Sequence, residues 1–177
     1  METGLGSLKE YQEHLLARIR DSAANGAATS YLGMVVAEER WAVRLTDVSE
    51  VIPVPTLHTV PLTQSWFLGI TNIRGSLYAV ADIAALIGRG HAPLNADTRL
   101  VLIHPRFRVN AGFIITRTLG LRNIPLPSQP PEKEEVSWIT AEYHEPDGKV
   151  WKELDIRRLV SDPRFLDIAS PRLTAAG

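Results

Sequence analysis

The chain of 177 residues contains no cysteine. That excludes a disulfide framework, a thiolate nucleophile and any cysteine-ligated zinc or iron–sulfur centre. An excess of one charge is missing too: 19 Lys and Arg face 20 Asp and Glu, a formal net charge of −1. A strong nucleic-acid binder would carry a basic face for the phosphates. Residues 99–122 are locally basic, but Phe107 and Phe113 are the only aromatic residues there to stack bases, so a solvated strand face is expected and no nucleic-acid partner. No run approaches the roughly 18 apolar residues of a transmembrane helix. Met1–Ser7 lacks the basic and apolar regions of a secretory signal, so neither membrane insertion nor export is expected. Catalytic signatures are absent as well: there is no G-x-S-x-G elbow, Walker loop or G-x-G-x-x-G turn. His14, His58, His91, His104 and His144 have no second histidine or carboxylate at a metal-binding helical spacing. Neither enzymatic activity, a metal nor a cofactor is expected.

What remains is an ordinary globular composition, 45% apolar and 22% charged. Residues 1–29 form an N-terminal amphipathic helix and linker by pattern. Leu8, Tyr11, Leu15, Leu16 and Ile19 recur at helical spacing, Ser7 and Glu10 make a capping box, and Gly26 lies where the helix stops. Such a helix packs on its own domain or docks on a partner. From Tyr31 the pattern changes to short β-rich runs. Gly69–Ile73 and Leu77–Asp82 read as strands around Arg74-Gly75-Ser76, and Thr98–His104 and Val109–Ile115 as strands around Pro105-Arg106. Val136–Tyr143 and Lys149–Leu154 read as a further hairpin, whereas Asn123–Glu135, with four prolines, reads as a loop. Short helical pieces end each half. The expectation is a mainly β domain over 30–169 with a tail at 170–177. Its two small barrels would be subdomains at about 30–88 and 97–160, joined through 89–97.

The informative stretch is Leu45–Gly88. An acid (Glu50) follows a β-branched residue (Val48); then come a proline-rich loop, G-x-x-N-x-R-G from Gly69 to Gly75, and a strand ending at Asp82. Gly75 permits a tight turn that a side chain would obstruct, and Asn72 can bond to its backbone. Arg74 is an always-charged fork beside the turn, with Glu50 as its carboxylate partner on a neighbouring strand. These residues resemble the CheW-like coupling proteins of bacterial chemosensory arrays. Val48, Glu50, Gly69, Asn72, Ile73, Arg74, Gly75, Val80, Asp82 and Ile83 match the family's run. The leading helix, Pro55–Phe67, Leu77-Tyr78 and Phe165-Leu166 are similar to the PilI-type members, which serve the system controlling type IV pili and twitching motility.

The resemblance implies two five-stranded, SH3-like β-barrel subdomains with short helices, and an adaptor without catalysis or cofactor. It implies as partners the cytoplasmic tip of a methyl-accepting chemoreceptor, held in a groove between the subdomains, and the regulatory domain of a CheA-like histidine kinase. The location implied is cytoplasmic, peripheral to membrane receptor arrays. Mapped by motif, Val48, Glu50, Gly69 and Arg74 are receptor- or partner-binding positions, and Asn72 and Gly75 build the turn. Trp66 and Phe67 are interface anchors or core residues; Glu50 and Arg74 could equally be a structural ion pair. The second half departs from the family at Ile114-Ile115-Thr116-Arg117 and in its proline loop, so no partner residues are assigned there. The rival class is a β-barrel that binds a small ligand or nucleic acid.

Overall fold

The computed structural model describes residues 30–124, 130 and 136–170. The expected N-terminal helix, part of the proline loop and residues 171–177 lie outside them. Ten strands and three short α-helices follow in the order β1 (Ser30–Val36), β2 (Glu39–Arg44), β3 (Val48–Pro53), β4 (Phe67–Ile73), β5 (Ser76–Asp82), α1 (Ile83–Leu86), β6 (Arg99–Ile103), β7 (Ala111–Ile115), β8 (Arg117–Asn123), β9 (Ile139–His144), β10 (Val150–Leu154), α2 (Ile156–Leu159) and α3 (Pro163–Leu166) among the described residues, with 3-10 turns at Leu45–Asp47 and Pro105–Phe107. The expected hairpins and short helices are present within a few residues. β8 has no strong pattern: its only apolar side chains are Leu119 and Leu121, and Leu121 is 65% exposed.

The strands form two five-stranded sheets, ordered β8-β1-β2-β10-β9 and β3-β6-β7-β5-β4. The second sheet is one continuous stretch of chain. The first is not, because the β1–β2 hairpin lies between β8 and β10. β2 runs parallel to β10, from Arg40 beside Trp151 to Val43 beside Leu154. This corrects the expected division at 89–97 into consecutive halves. A hairpin whose both edges need partners takes them from strands at the far end of the chain.

The two sheets nevertheless repeat one plan. From hairpin inward they read β9-β10-β2-β1-β8 and β4-β5-β7-β6-β3, each with a parallel pair in the same place (β10 with β2, β5 with β7). In each, an aspartate at the junction of strand and helix caps the helix. Asp82 Oδ1 accepts from the Ala85 amide at 3.2 Å, and Asp155 Oδ1 from the Arg158 amide at 3.0 Å. The sequences are Asp82-Ile83-Ala84-Ala85-Leu86 and Asp155-Ile156-Arg157-Arg158-Leu159, with Ile83 and Ile156 fully buried.

The largest apolar cluster draws on both sheets and all three helices. Trp41, Val43, Trp138 and Leu154 from the first sheet and its lead-in meet Val101, Ile103, Phe113 and Ile115 from the second. Trp41 and Trp138 lie 5.8 Å apart between ring centroids. Smaller clusters hold each sheet separately, around Tyr31 and Trp151 in one and around Leu100 and Ile114 in the other.

The last helix is anchored by charge. Asp162 caps α3 through the Arg164 amide at 2.8 Å, its other carboxylate oxygen lies 3.0 Å from Arg164 Nη2, and the Ser137 hydroxyl donates at 3.3 Å. The Arg164 side chain, against the effect of burial, holds the Asp162 carboxyl below its ordinary value. Its ionised form therefore stabilises the fold above the unfolded carboxyl range, and that contribution is lost as pH falls through the folded value. Asp162→Ala should lose about 1–2 kcal/mol at pH 7, the scale of a lost helix cap. Urea unfolding of both proteins should show the gap narrowing as pH falls from the ordinary carboxylate range, about pH 4, towards the lowered folded value.

Candidate functional site

β3 and β4 are the two outer strands of the second sheet, and the segment after β3 bridges from one edge to the other. The chain leaving β3 lies against β4. His58 and Ile70 exchange backbone hydrogen bonds at 2.8 and 2.9 Å, and the Thr71 hydroxyl donates to the Thr56 carbonyl at 2.8 Å. Edge donors are thereby satisfied within the chain. Both outer strands also carry a bulge, at Val48/Glu50 in β3 and at Phe67/Gly69 in β4. Bulges at sheet edges bend a strand and re-aim its side chains.

Gly69 makes this closure possible. Its φ is +123°, and a Cβ there would lie 2.2 Å from the His58 carbonyl oxygen. Gly69 is also buried, which fits support of the site and not direct contact: only a glycine lets the two backbones come so near.

The hairpin β4–β5 turns through Arg74 and Gly75, with Ile73 opposite Ser76. Both turn residues have positive φ, +52° and +87°, as a two-residue type I′ turn requires. The Gly75 amide donates to Asn72 Oδ1 at 2.9 Å, so Asn72 and Gly75 are turn builders as expected from their chemistry. Arg74 is the unusual member, because the left-handed conformation favours glycine or asparagine and costs other residues about 1–2 kcal/mol. From that position its guanidinium reaches across the closed edge to Glu50. Nη2 lies 2.8 Å from Oε1 and Nη1 3.0 Å from Oε2, a bidentate fork. The Arg74 side chain is 78% exposed and that of Glu50 33%. An exposed pair contributes about 0–1 kcal/mol, which does not exceed the conformational cost of placing an arginine there.

The other expected residues divide. Val48 is half-buried against the main cluster. Of the two readings left open for Trp66 and Phe67, the structure has them in the core, each 92% buried: Trp66 stacks on Phe165 of α3 at 6.0 Å and meets Phe67 edge-on at 6.2 Å. The proline-rich loop before them is itself tied to the segment after α3, through Gln64 to Ile168 and Ser170 to Leu62 at 2.8 and 2.9 Å. Sequence reasoning missed His58 and Thr71, whose roles depend on a sheet closing on itself. It also missed how Asp82 is used: besides capping α1, its Oδ2 accepts from the Ala92 amide at 2.9 Å and lies 3.2 Å from His91 Nδ1, pinning the connection to β6. Among the described residues no His, Asp and Glu gather as a metal-ligand group, and no helix is long and apolar enough to cross a membrane.

The family model of the CheW-like domain matches residues 30–164. Protein PilI of Pseudomonas aeruginosa is 27% identical over 128 residues, covering 70% of each chain. Protein FrzA of Myxococcus xanthus is 33% identical over 91 residues, and chemotaxis protein CheW of Helicobacter pylori 25% over 93; each match spans about half of this chain and 56% of the relative. In fold, the chain is similar to the scaffolding protein TtCheW of Thermoanaerobacter tengcongensis, with a TM-score of 0.64 and 21% identity over 73% of this chain and 85% of that one.

Gly69 and Arg74 should separate stability from surface chemistry. Gly69→Ala adds a clash and backbone strain, and should cost at least about 2 kcal/mol in denaturant unfolding. Arg74→Gly relieves the turn and loses an exposed pair, so its stability should stay within about 1 kcal/mol of wild type.

Proposed function

The chain belongs to the CheW-like domain family of non-catalytic chemosensory adaptors, and we propose that it couples a methyl-accepting chemoreceptor to a CheA-like histidine kinase. The observation that carries this reading is the Glu50–Arg74 pair. An arginine occupies a turn position better suited to asparagine or glycine, is spread open to solvent, and is oriented by a carboxylate that adds little stability. A residue kept there at a conformational cost is explained by contact with a partner. Glu50 and Arg74 are the receptor-facing groups; Val48 and Gly69 support them from within the sheet, one through the core and the other through the closed edge. The exposed Leu77, opposite Asn72 in the hairpin, supplies apolar surface near the turn.

The similarity to PilI, together with the pattern from Pro55 to Phe67, supports a place in the system that controls type IV pili and twitching motility. The adaptor would work in the cytoplasm, at the periphery of membrane receptor arrays. It transmits receptor state by binding one receptor conformation more tightly than another, because equal affinity for both would shift nothing.

Calorimetry with a receptor cytoplasmic tip and with the kinase regulatory domain tests the assignment. The wild-type chain should bind both. Arg74→Glu should weaken receptor binding at least about tenfold, as loss of a central charged anchor does, while Arg99→Glu leaves it within about twofold. A wild-type chain that binds neither fragment overturns the proposal.

A further inference from the structure

Between the two sheets lies a second charged feature, away from the Arg74 turn. The end of β2 and the start of α2, from the first sheet, face the turn between β6 and β7 of the second across a polar cleft of about 260 Å³. Arg44, Arg106 and Arg157 line it, with Phe107 as an apolar wall. The charges around it pair unevenly. Arg44 donates Nε to Glu153 at 3.2 Å. Arg106 is paired with the buried Asp47, whose carboxylate also accepts from the Thr46 hydroxyl at 3.2 Å. Asp155 is occupied by α2, accepting from the Arg158 amide at 3.0 Å with its second oxygen 3.9 Å from Arg158 Nε. Arg157 is left over: it is exposed, and among the described residues its guanidinium has no hydrogen bond or ion pair.

We propose that this cleft docks an acidic side chain, Asp or Glu, carried by a partner polypeptide and gripped by Arg157 with the unused donors of Arg44 and Arg106. A guanidinium has five donors in a planar fork, so an arginine already bonded through one nitrogen can still accept a carboxylate edge-on. One net positive charge matches one carboxylate. Phosphate is disfavoured, because Asp47 and Asp155 stand in the walls and repel a double negative charge. The volume is below the roughly 300–1,000 Å³ of small-molecule pockets, which suits a side chain better than a free ligand. The choice of a polypeptide as the source rests on the adaptor reading above; the carboxylate chemistry does not.

The test uses the full chain, labelled with nitrogen-15, at low ionic strength, with a blocked hexaglutamate peptide and, in a separate arm, inorganic phosphate. The Arg157 and Arg106 Nε–H signals should shift saturably with the peptide. Arg157→Gln and Arg157→Glu should weaken that binding at least about tenfold and Arg99→Glu less than about twofold, because only the former remove the uncompensated cation. Absence of a saturable shift, an unchanged affinity in both Arg157 variants, or equal displacement by phosphate overturns the site. The receptor tip and the kinase regulatory domain are then titrated. Weakening of at least one by Arg157→Glu supports docking, and unchanged affinity for both overturns it. If the wild-type chain binds hexaglutamate but neither protein, the adaptor reading fails while the carboxylate site stands.

Discussion

The parallel pairing of β2 with β10 is the constraint on which the rest of the structure depends. It draws the first hairpin of the domain into a sheet whose other strands come some hundred residues later. Once Trp41 and Val43 are fixed there, the main apolar cluster can form only with both sheets in place, because its members come from each. The two sheets are thus one cooperative unit with a common interior, although each has its own smaller cluster. The polar cleft between them follows from the same pairing: the end of β2 brings Arg44 and Asp47 to the seam, and α2, which follows β10, brings Arg157.

The second sheet shows how an edge is managed without a further strand. Its outer strands are closed by a short stretch after β3, made possible by a glycine with no room for a methyl group, and spanned at the surface by one ion pair. The inner contacts carry the closure, whereas the ion pair is exposed and weak. On the proposed reading, stability and recognition fall to different residues of one hairpin, Gly69 within β4 and Arg74 in the turn at its end. Recognition chemistry can vary on such a surface without endangering the fold.

The hairpins were legible because their signals are local: β-branched runs flank Arg74-Gly75, Pro105-Arg106 and Pro146-Asp147-Gly148. The Glu50–Arg74 pair was legible because the motif names both partners. The sheet order was not, since periodicity says which residues face inward but not which distant strand lies alongside. A clue was present all the same. Asp82-Ile-x-x-Leu86 recurs as Asp155-Ile-x-x-Leu159, each after a strand, and marks equivalent points of two like sheets. It places one sheet around β5 and the other around β10, leaving β1 and β2 as the pair that must cross. The place of Trp66-Phe67 stayed open for the same reason. Aromatics after a proline-rich loop can face either way until Phe165 of α3 stacks on Trp66, and that helix lies a hundred residues away.

The displaced hairpin has a consequence during synthesis. Residues 48–115 leave the ribosome as a complete sheet, able to close while translation continues. β1 and β2 emerge earlier but have no lasting neighbours until β8 and β10 appear. At about 5–20 residues per second, the wait between Arg44 and Leu154 is on the order of ten seconds. Throughout it, Met34, Val36, Trp41 and Val43, buried at the end, face solvent or whatever else is near. The oldest part of the nascent domain waits longest for its neighbours, and that interval is set by the speed of translation, not by the speed of folding.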